Sequence, residues 1–533
     1  MAVVMGDSKY LLLDEYQVRN AKLQEIQKMG VTLYPNVSIE NQDIHYVLSH
    51  YSDLRASCEE AINNQTDSIK IAGRLILYRS MGKNVFVHIQ EGIEKIQVMF
   101  NRGNTWVDGL LEQDAKAHHL FLEKKIHIGD FLAIEGNVFR TIKGELTILA
   151  KKVTLLCKSL LPLPEKHFGL VNKEVRYRKR WLDLISSRKV MHTFLLRSQI
   201  VAEIRKYFME EDFIEVETPI LQNIYGGAEA RPFKTYLHDL HEEMYLRIAL
   251  EVSLKKLIVG GLPRVFEMAK VFRNEGIDMT HNPEFTMFEC YAAYRDYFDM
   301  MVWMENLCAH LAKKLFGSTK IGIRRDKQGN DHEIDLKVPW IRMSMLESVE
   351  KYAGVCVCNC SIEELRDFLQ NKSNVQESKA LSSMSRGMIV AKIFEECVEP
   401  FLIQPHFIVD YPIETTPFAK LHRNPDLAKQ GFVERFEGFV LGRELCNAYT
   451  ELNDPFLQRE LLEGQDQLFR SGNTEANPLD EDFLEAILQG FPPCGGLGFG
   501  VDRLVMLLTG AHSIRDVLYF PLTKKISSHH QSK

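Results

Sequence analysis

The sequence predicts an α+β protein in which a small five-stranded β-barrel precedes a larger domain of strands and helices. Five short segments of alternating apolar and polar residues lie between Ile69 and about Leu156, separated by Gly, Asn or charged turns. Strands of that length and spacing favour a small closed barrel. Leu161-Pro162-Leu163-Pro164 marks a linker, and helical and hairpin-like patterns follow it. We therefore predict a first domain over residues 1–160 and a second over 161–533, with an insertion at about 315–400.

Local signals support the individual elements. Residues 14–29 predict a polar helix closed by Gly30. Apolar residues at 196, 200, 204 and 208 form a helical stripe, and the segment 213–219 then reads as a short strand ended by Pro219. The alternating segments predict a barrel of the oligonucleotide-binding (OB) type, and they begin at Ile69, Asn84, Lys95, Phe131 and Glu145.

Composition and charge bound the class of protein. Hydrophobic residues at 45% and charged residues at 26% are ordinary for a soluble globular chain. No segment reaches the ~20 uninterrupted apolar residues of a membrane helix, and the first residues do not read as a secretory signal. Ten Cys in 533 residues are not a disulfide framework, so we expect a reducing cytoplasm. The net charge of −7 argues against indiscriminate nucleic-acid binding.

Two patterns have a plain and a functional interpretation. Cys356, Cys358 and Cys360 have no second Cys/His pair at metal-ligand spacing, so we expect them to alternate across a strand as buried apolar groups. In the barrel, Tyr78, Phe86 and Phe100 are interleaved with Arg and Lys, as stacking and phosphate contacts to single-stranded RNA require. The alternative is that some of these aromatic rings face the barrel core.

The stretch Arg264–Tyr297 carries the most chemistry. Side chains alternate between the faces of a strand, so Phe285, Met287, Glu289 and Tyr291 share one face. That face offers an aromatic plate, a carboxylate and a phenol beside an upstream arginine. It can stack a base, contact a phosphate and bind a cation, whereas the alternative is an ordinary hairpin with a salt-bridged turn.

Two further segments bear on this surface. Glu437 and Glu444 lie opposite one another if the chain reverses between Val440 and Leu441, and two opposed carboxylates repel unless a divalent cation such as Mg²⁺ lies between them. In the continuing strand, side chains alternate so that one face carries Asn447, Tyr449 and Glu451. A surface hairpin with solvated acids is the alternative.

Glycines mark two places where a ligand can approach the backbone closely. One is the pair Gly226-Gly227. The other is the alternating run Gly496, Gly498 and Gly500 ahead of a helix whose first turn contains Asp502 and Arg503. The run is similar to a dinucleotide fingerprint, but no βαβ unit or downstream acid accompanies it.

Together these segments resemble the three signature motifs of class II aminoacyl-tRNA synthetases. The helix and strand ending at Pro219 match the first motif, Phe272-Arg273-Asn274-Glu275 the second and Gly498-Phe499-Gly500-Val501-Asp502-Arg503 the third. A barrel ahead of a class II antiparallel sheet flanked by helices is typical of the subclass that charges lysine, aspartate and asparagine. RYRKRWLDLI, GGAEARPF, YLRIA, RNEGIDMTHNPEFTMFE and TELNDP resemble the lysyl-tRNA synthetase family, in its bacterial form.

The resemblance implies ATP-dependent activation of L-lysine to lysyl-adenylate and transfer of the lysyl group to the 3′ end of tRNA(Lys). It further implies a homodimer, no membrane, and up to three Mg²⁺ ions held by Glu437 and Glu444. Arg273 and Arg503 are the implied catalytic residues, Arg273 on the α-phosphate and Arg503 over the adenine face opposite Phe285. The implied ATP-binding residues are Arg273, Asn274, Glu275, His281, Asn282, Phe285, Glu444, Leu445, Gly500, Asp502 and Arg503.

The implied lysine pocket is acidic, as an ammonium ligand requires and an aspartate ligand does not. Its residues are Gly227, Glu251, Glu289, Tyr291, Asn447 and Glu451. The implied anticodon contacts support tRNA binding without singling out lysine, and they are Arg74, Phe86, Gln97 and Glu145.

Two departures from the family pattern and two rival functions remain. Leu250 stands where a proline commonly precedes the pocket glutamate, and Thr416-Pro417-Phe418-Ala419 replaces Ser-Pro-Leu-Ala, so we expect altered packing with activity retained. One rival is a synthetase-like paralogue that lysylates a protein, although such proteins lack the barrel. The other is a non-catalytic RNA-binding derivative, against which Arg273, Glu437, Glu444 and Arg503 count together.

Overall fold

The computed structural model describes residues 9–164, 170–372 and 384–524. The chain divides into two compact units, Met1–His192 and Thr193–Lys533. Residues 373–383 of the predicted insertion at 315–400 lie outside the described residues. No helix in the described ranges combines the length and the apolar character needed to span a membrane.

The first unit contains the barrel. Its strands are β1 (Ser68–Met81), β2 (Asn84–Glu91), β3 (Glu94–Asn101), β4 (Trp106–Val107), β5 (Phe131–Arg140) and β6 (Leu146–Cys157). Strand β3 pairs in parallel with β6 through Gln97–Met99 and Thr147–Leu149, and this pairing closes the sheet in the order β3-β2-β1-β5-β6-β4. The predicted five-stranded OB-type barrel is confirmed, and the two-residue β4 is an addition that the alternation did not predict.

Helices flank the barrel. The predicted N-terminal helix is confirmed as Asp14–Lys28, and Gly30 follows it with φ +91°. The helix Ala115–Lys124 between β4 and β5 buries Phe121 and Leu122 in the barrel core. The remaining helices of this unit are Ile44–His50, Cys58–Ile62, Lys173–Arg178 and Arg180–Ser186, and Arg188–Glu210 crosses the boundary between the units.

An eight-stranded sheet organises the second unit. Its strands are β7 (Ile214–Glu215), β11 (Arg264–Phe272), β12 (Glu284–Ala293), β15 (Ile341–Ser344), β16 (His406–Pro412), β17 (Phe432–Val440), β18 (Arg443–Thr450) and β19 (Cys494–Gly500). They lie in the order β15-β16-β17-β18-β19-β12-β11-β7. The six central strands pair antiparallel, while the edge strands β7 and β15 pair in parallel with their neighbours. The predicted antiparallel sheet is confirmed at the centre and is mixed at its edges.

Smaller sheets and helices surround this sheet. Strands β8 (Leu221–Gln222), β9 (Lys234–Leu237) and β10 (Glu242–Leu246) form one small sheet, and β13 (Lys320–Arg325) and β14 (Asp331–Asp335) form another. The described helices are Glu251–Val259, Tyr297–Phe316, Met345–Ala353, Ile362–Lys372, Arg386–Cys397, Pro425–Lys429, Pro455–Arg470, Glu481–Leu488, Val501–Thr509 and Ile514–Val517.

The long helices pack on the sheet because of their sequence pattern. The predicted stripe is buried as Leu196, Ile200, Ile204 and Phe208, in one cluster with apolar residues of the sheet. The Asp296 side chain accepts hydrogen bonds from the first turn of Tyr297–Phe316, a capping box that starts this helix against the same cluster.

The prediction that Cys356, Cys358 and Cys360 alternate across a buried strand is wrong. Val357–Asn359 form a short 3-10 helix, Cys358 is exposed, and the other two thiols are half-buried. Gly354 ends the preceding helix with φ +74°. The chain therefore turns before a strand can form, and Val357 provides the apolar contact instead.

A buried ion pair joins β11 to the segment ahead of the helix Glu251–Val259. Arg247 Nη1 lies 2.8 Å from Glu267 Oε1, and both side chains are 3–4% exposed. Arg247 also donates to the backbone oxygens of Thr218 and Lys270, while the Thr218 hydroxyl donates to Glu267 Oε2 at 2.6 Å. These bonds hold three separate chain segments in one register.

We expect Arg247→Met to lower the free energy of unfolding of the second unit by about 3–5 kcal/mol, because it leaves the buried Glu267 carboxylate without its cation. Arg205 pairs with Glu215 at a 42% exposed position, so Arg205→Met should cost less than about 1 kcal/mol. Denaturant unfolding of the full chain, followed by fluorescence, measures both; equal losses in the two variants would contradict the assignment.

Candidate active site

A cavity of about 400 Å³ opens over the centre of the large sheet. Every residue predicted for the ATP, lysine and metal sites lines it except Asn274, which is exposed and whose backbone N–H donates to Arg231 O at 2.7 Å. The predicted residues that line the cavity are Gly227, Glu251, Arg273, Glu275, His281, Asn282, Phe285, Glu289, Tyr291, Glu437, Glu444, Leu445, Asn447, Glu451, Gly500, Asp502 and Arg503.

One end of the cavity is cationic and aromatic. The Arg273 guanidinium carbon lies 5.4 Å from the centre of the Phe285 ring, and Arg273 Nε donates to Ile248 O at 3.2 Å. Burial lowers the pKa of Arg273, and nearby carboxylates led by Glu275 oppose this shift. A base that stacks on Phe285 in this structure therefore has a guanidinium beside it.

The second arginine of this end contacts the loop between β11 and β12. Arg503 Nη1 donates to Glu444 Oε2 at 3.1 Å, and Nη2 lies 3.1 Å from His281 Nε2. The other nitrogen of His281 contacts Asp278 at 2.7 Å. Burial opposes ionisation of Asp278, but hydrogen bonds led by that from His281 hold its pKa at about 2. The loop is thus tied to the helix Val501–Thr509 by the hydrogen bond that Arg503 donates to the His281 imidazole.

Asp502 contacts protein groups on both of its oxygens. Oδ2 accepts from the Thr286 backbone N–H at 2.7 Å, and Oδ1 lies 2.5 Å from Arg197 Nη1. Asn282 differs, since its Oδ1 is buried with no hydrogen-bond partner among the described residues, while its Nδ2 donates to Glu284 O. The Asn282 carbonyl therefore has acceptor capacity that a ligand in the cavity can use.

The predicted opposition of Glu437 and Glu444 is wrong in its register. The turn residues are Leu441 and Gly442, with φ +59° and +64°, so the chain reverses one residue later than predicted and Glu444 pairs with Phe439. This moves the partner of Glu437 by two residues, and a bulge at Gly438/Phe439 adds a third, so Glu437 pairs with Asn447. Both carboxylates nonetheless line the cavity.

Arg435, which the sequence reading missed, lies beside this pair. Its Nη2 is 2.5 Å from Glu437 Oε1, and the other Glu437 oxygen accepts from the Tyr411 hydroxyl at 3.0 Å. Burial raises the pKa of Glu437; Arg435 lowers it and Glu444 raises it. The i, i+2 spacing of Arg435 and Glu437 on one strand is the signal that could have revealed this contact.

The opposite end of the cavity holds three buried carboxylates, Glu251, Glu289 and Glu451, each 5% exposed or less. Glu289 Oε1 accepts from the Leu250 backbone N–H at 3.0 Å, and Oε2 accepts from the Tyr291 hydroxyl at 3.0 Å. Burial, followed by the charge of Glu251, raises the pKa of Glu289 to about 7. Burial likewise raises the pKa of Glu451 to about 8.

The contact at Leu250 shows that this departure from the family pattern changes more than packing. Proline has no backbone N–H, so a proline at this position cannot make the hydrogen bond to Glu289. That bond favours the ionised carboxylate and lowers the pKa of Glu289 against the effect of burial. Leu250 itself is buried.

Two glycines make room for the acidic end. Gly227 has φ +85°, and a Cβ there would lie 3.1 Å from the Cβ atoms of Ala249 and Glu251. Gly496 pairs with Tyr291 on one side and Tyr449 on the other, and its Cβ would lie 2.0 Å from Glu451 Oε1. Gly496 was not predicted as a site residue, although the alternating glycines of its strand were noticed.

The predicted anticodon contacts share one face of the barrel. Arg74 pairs with Gln90 and Gln97 pairs with His88, so alternation places both on the same face as Phe86. Glu145 Oε1 lies 3.1 Å from His88 Nε2 at the same face. Phe100 is fully buried in the core, as the alternative interpretation of the barrel aromatics held.

Family models match both parts of the chain. The model for class II tRNA synthetases (D, K and N) matches residues 172–524, and the model for the OB-fold nucleic acid binding domain matches residues 69–156. The first match alone covers more than half of the chain.

Full-length relatives agree with these models. A lysine–tRNA ligase of Chlamydia pneumoniae is 52% identical over 526 residues, which cover 98% of each chain. Lysine–tRNA ligases of Methanoculleus marisnigri (98% of this chain, 96% of the relative) and of Clostridium perfringens strain SM101 (96% and 97%) are each 42% identical. This chain therefore belongs to the lysine–tRNA ligase family of class II tRNA synthetases.

Proposed function

We propose that this chain activates L-lysine with ATP and transfers the lysyl group to the 3′ end of tRNA(Lys) for protein synthesis. One observation carries the proposal: a single cavity joins the guanidinium and ring end to the three-carboxylate end. A nucleotide needs the first set of groups, and an amino acid with two ammonium groups needs the second. We place this activity in the cytoplasm, where the ten free thiols stay reduced.

Arg273 and Arg503 are the catalytic residues of this proposal, because their guanidinium groups supply positive charge at the nucleotide. The lysine carboxylate attacks the α-phosphorus of ATP in line, and pyrophosphate leaves with the electron pair of the broken P–O bond. The attacking carboxylate is already ionised, so no general base is required. Arg273 neutralises the α-phosphate, Phe285 stacks on one face of the adenine, and Arg503, beside His281, covers the other face. The remaining predicted ATP contacts that line the cavity complete the nucleotide site, and they are Glu275, Asn282, Glu444, Leu445, Gly500 and Asp502. Asn274 stays a predicted ATP contact outside the cavity lining.

Glu437 and Glu444 fit a magnesium site. Carboxylate oxygens suit Mg²⁺, which commonly binds through one or two protein carboxylates together with substrate phosphates. Among the described residues no group of three acidic, His or Cys side chains is arranged to hold a metal ion, so phosphate oxygens would complete the coordination of up to three ions. When bound, Mg²⁺ neutralises phosphate charge at this end. Arg435 holds Glu437 in place, and Arg503 contacts Glu444.

At the acidic end, Glu251, Glu289 and Glu451 bind the two ammonium groups of lysine. Tyr291 and Asn447 line the same end, and Gly227 leaves space for the substrate. In the barrel, Arg74, Phe86, Gln97 and Glu145 contact the anticodon through the shared face. Stacking on Phe86 and hydrogen bonds from the polar side chains are the contacts that single-stranded RNA offers.

ATP–pyrophosphate exchange with each of the twenty amino acids tests the activity. We expect exchange with lysine and, once tRNA is added, formation of lysyl-tRNA. Exchange with aspartate but not with lysine would overturn the acidic-pocket assignment. Exchange with lysine but no tRNA charging would favour the protein-lysylating paralogue.

Glu251→Gln and Glu451→Gln test the division of the cavity into two ends. Each removes a buried carboxylate, so KM for lysine should rise about 10- to 100-fold, which is about 1.4–2.7 kcal/mol of binding. KM for ATP should change less than about threefold, because these residues lie at the other end. Equal rises in both values would contradict the assignment. Glu463→Gln, on the exposed face of the helix Pro455–Arg470, is the control.

We further propose that the chain acts as a homodimer. Apolar side chains stay exposed beside the edge strand β7, and such a patch favours a self-association surface. They are Met209 (60% exposed), Ile214 (45%), Ile220 (43%) and Leu221 (46%). Light scattering of the purified chain should give twice the mass of 61.5 kDa. Ile214→Asp should shift it toward the monomer, and a monomeric wild type would overturn the proposal.

A further inference from the structure

A lysine of the protein itself is buried inside the acidic end. Lys255 lies one turn after Glu251 on the helix Glu251–Val259, and its side chain is 1% exposed. Its Nζ is 2.5 Å from Glu251 Oε1 and 2.5 Å from Glu451 Oε2. One internal ammonium therefore bridges two of the three carboxylates.

Aromatic rings enclose this ammonium on its remaining sides. Lys255 Nζ lies 4.8 Å from the centre of the Phe418 ring, 5.8 Å from that of Tyr291 and 6.0 Å from that of Phe483. Ring faces attract a cation and exclude water. The ammonium is therefore fixed in position. Because water is excluded around it, its attraction for Glu251 and Glu451 is screened only weakly.

Glu289 and one oxygen of Glu451 make no contact with Lys255 and are open to a ligand. Within the described residues, Glu289 accepts hydrogen bonds only from neutral groups, the Leu250 N–H and the Tyr291 hydroxyl. Glu451 Oε1 is buried with no hydrogen-bond partner in the described part of the chain, and it faces the space that Gly496 leaves empty. Both groups line the cavity. Among the described residues, Glu289 forms no ion pair, and Glu451 forms one only through its other oxygen, with Lys255.

The charges of this end then balance for one class of substrate. When all three carboxylates are ionised, they and Lys255 carry a net charge of about −2, which is equal and opposite to the charge of the two ammonium groups of a diamino acid. Without Lys255 the same end would carry one more negative charge than the substrate neutralises, and a proton would have to replace the missing cation.

We propose that Lys255 is a positioning residue that determines specificity: its ammonium bridges Glu251 and Glu451 and favours their ionised forms, so that the pocket loses fewer protons when it accepts a diamino acid. This inference rests on the proposed lysine-binding role of the acidic end. It adds to that role a fixed internal cation, which acts through the carboxylates and touches no reacting atom.

The pH dependence of KM for lysine reports on the role of Lys255. Burial raises the pKa of Glu251 and of Glu451, and Lys255 lowers both. Its removal raises both values further, so an additional proton must leave before lysine binds. KM for lysine then falls more steeply as pH rises. The other titratable and charged groups that face these acids are Glu289, Tyr291, Arg435, Tyr449 and Cys494.

The test measures KM for lysine and for ATP by pyrophosphate exchange between pH 6.5 and 8.5 in wild type and Lys255→Met. One additional proton makes the ratio of variant to wild-type KM for lysine fall by up to about tenfold per pH unit. KM for ATP should stay within about threefold. Lys255→Arg keeps the charge and should restore the wild-type slope. Lys256→Met is the matched control, since Lys256 is 36% exposed and lies 3.9 Å from Asp480.

An unchanged slope in folded Lys255→Met, or equal rises in both KM values, would overturn the proposal. If Lys255→Met does not fold, Lys255→Gln replaces it, because glutamine keeps hydrogen-bond donors without the charge.

Calorimetric titration of wild type with lysine at pH 8, in two buffers of different ionisation enthalpy, needs no variant. We expect release of fewer than one proton per lysine, and a larger release would refute the role of Lys255. Absence of lysine-dependent exchange in wild type would instead refute the proposed function itself.

Discussion

Three carboxylates are buried side by side at one end of the cavity, and neutralising them is the constraint on which the surrounding structure depends. A buried charge without partners costs several kcal/mol, so each carboxylate needs a cation or hydrogen-bond donors within reach. Lys255 supplies the cation for Glu251 and Glu451, and neutral donors serve Glu289. The helix Glu251–Val259 must therefore pack against β12 and the end of β18, which brings the substrate-facing side chains together.

The large sheet makes this packing possible through its glycine strand. β19 lies between β12 and β18, and a side chain at Gly496 would collide with Glu451 and Tyr291. The absence of that side chain lets groups from both neighbouring strands meet above β19. The same strand ends at Gly500, where the helix carrying Asp502 and Arg503 begins. One strand thus gives space to the acidic end and positions the cationic end.

The two ends of the cavity bury charges of opposite sign. At the nucleotide end, burial lowers the pKa of Arg273, and Glu275 and Glu444 oppose that change. At the other end, burial raises the pKa of Glu289 to about 7 and that of Glu451 to about 8. A substrate phosphate at the first end stabilises the buried Arg273 cation, and a substrate ammonium at the second end stabilises the buried carboxylates. In this proposal, affinity and orientation have one physical origin, since a reversed substrate would place like charges together.

Periodicity and motif spacing were enough to predict the barrel strands, the helix that buries Leu196 to Phe208, and the shared face of Phe285, Glu289 and Tyr291, because these patterns depend on neighbours along the chain. The register of Glu437 against Asn447 could not be read in this way, since the chain reverses one residue later than predicted and a bulge shifts the pairing by one residue more. Lys255 was also missed: a lysine four residues after a glutamate usually forms an exposed helical pair. Only the packing of Phe418, Phe483 and Glu451, from distant parts of the chain, makes it a buried cation, because burial depends on residues that local sequence does not contain.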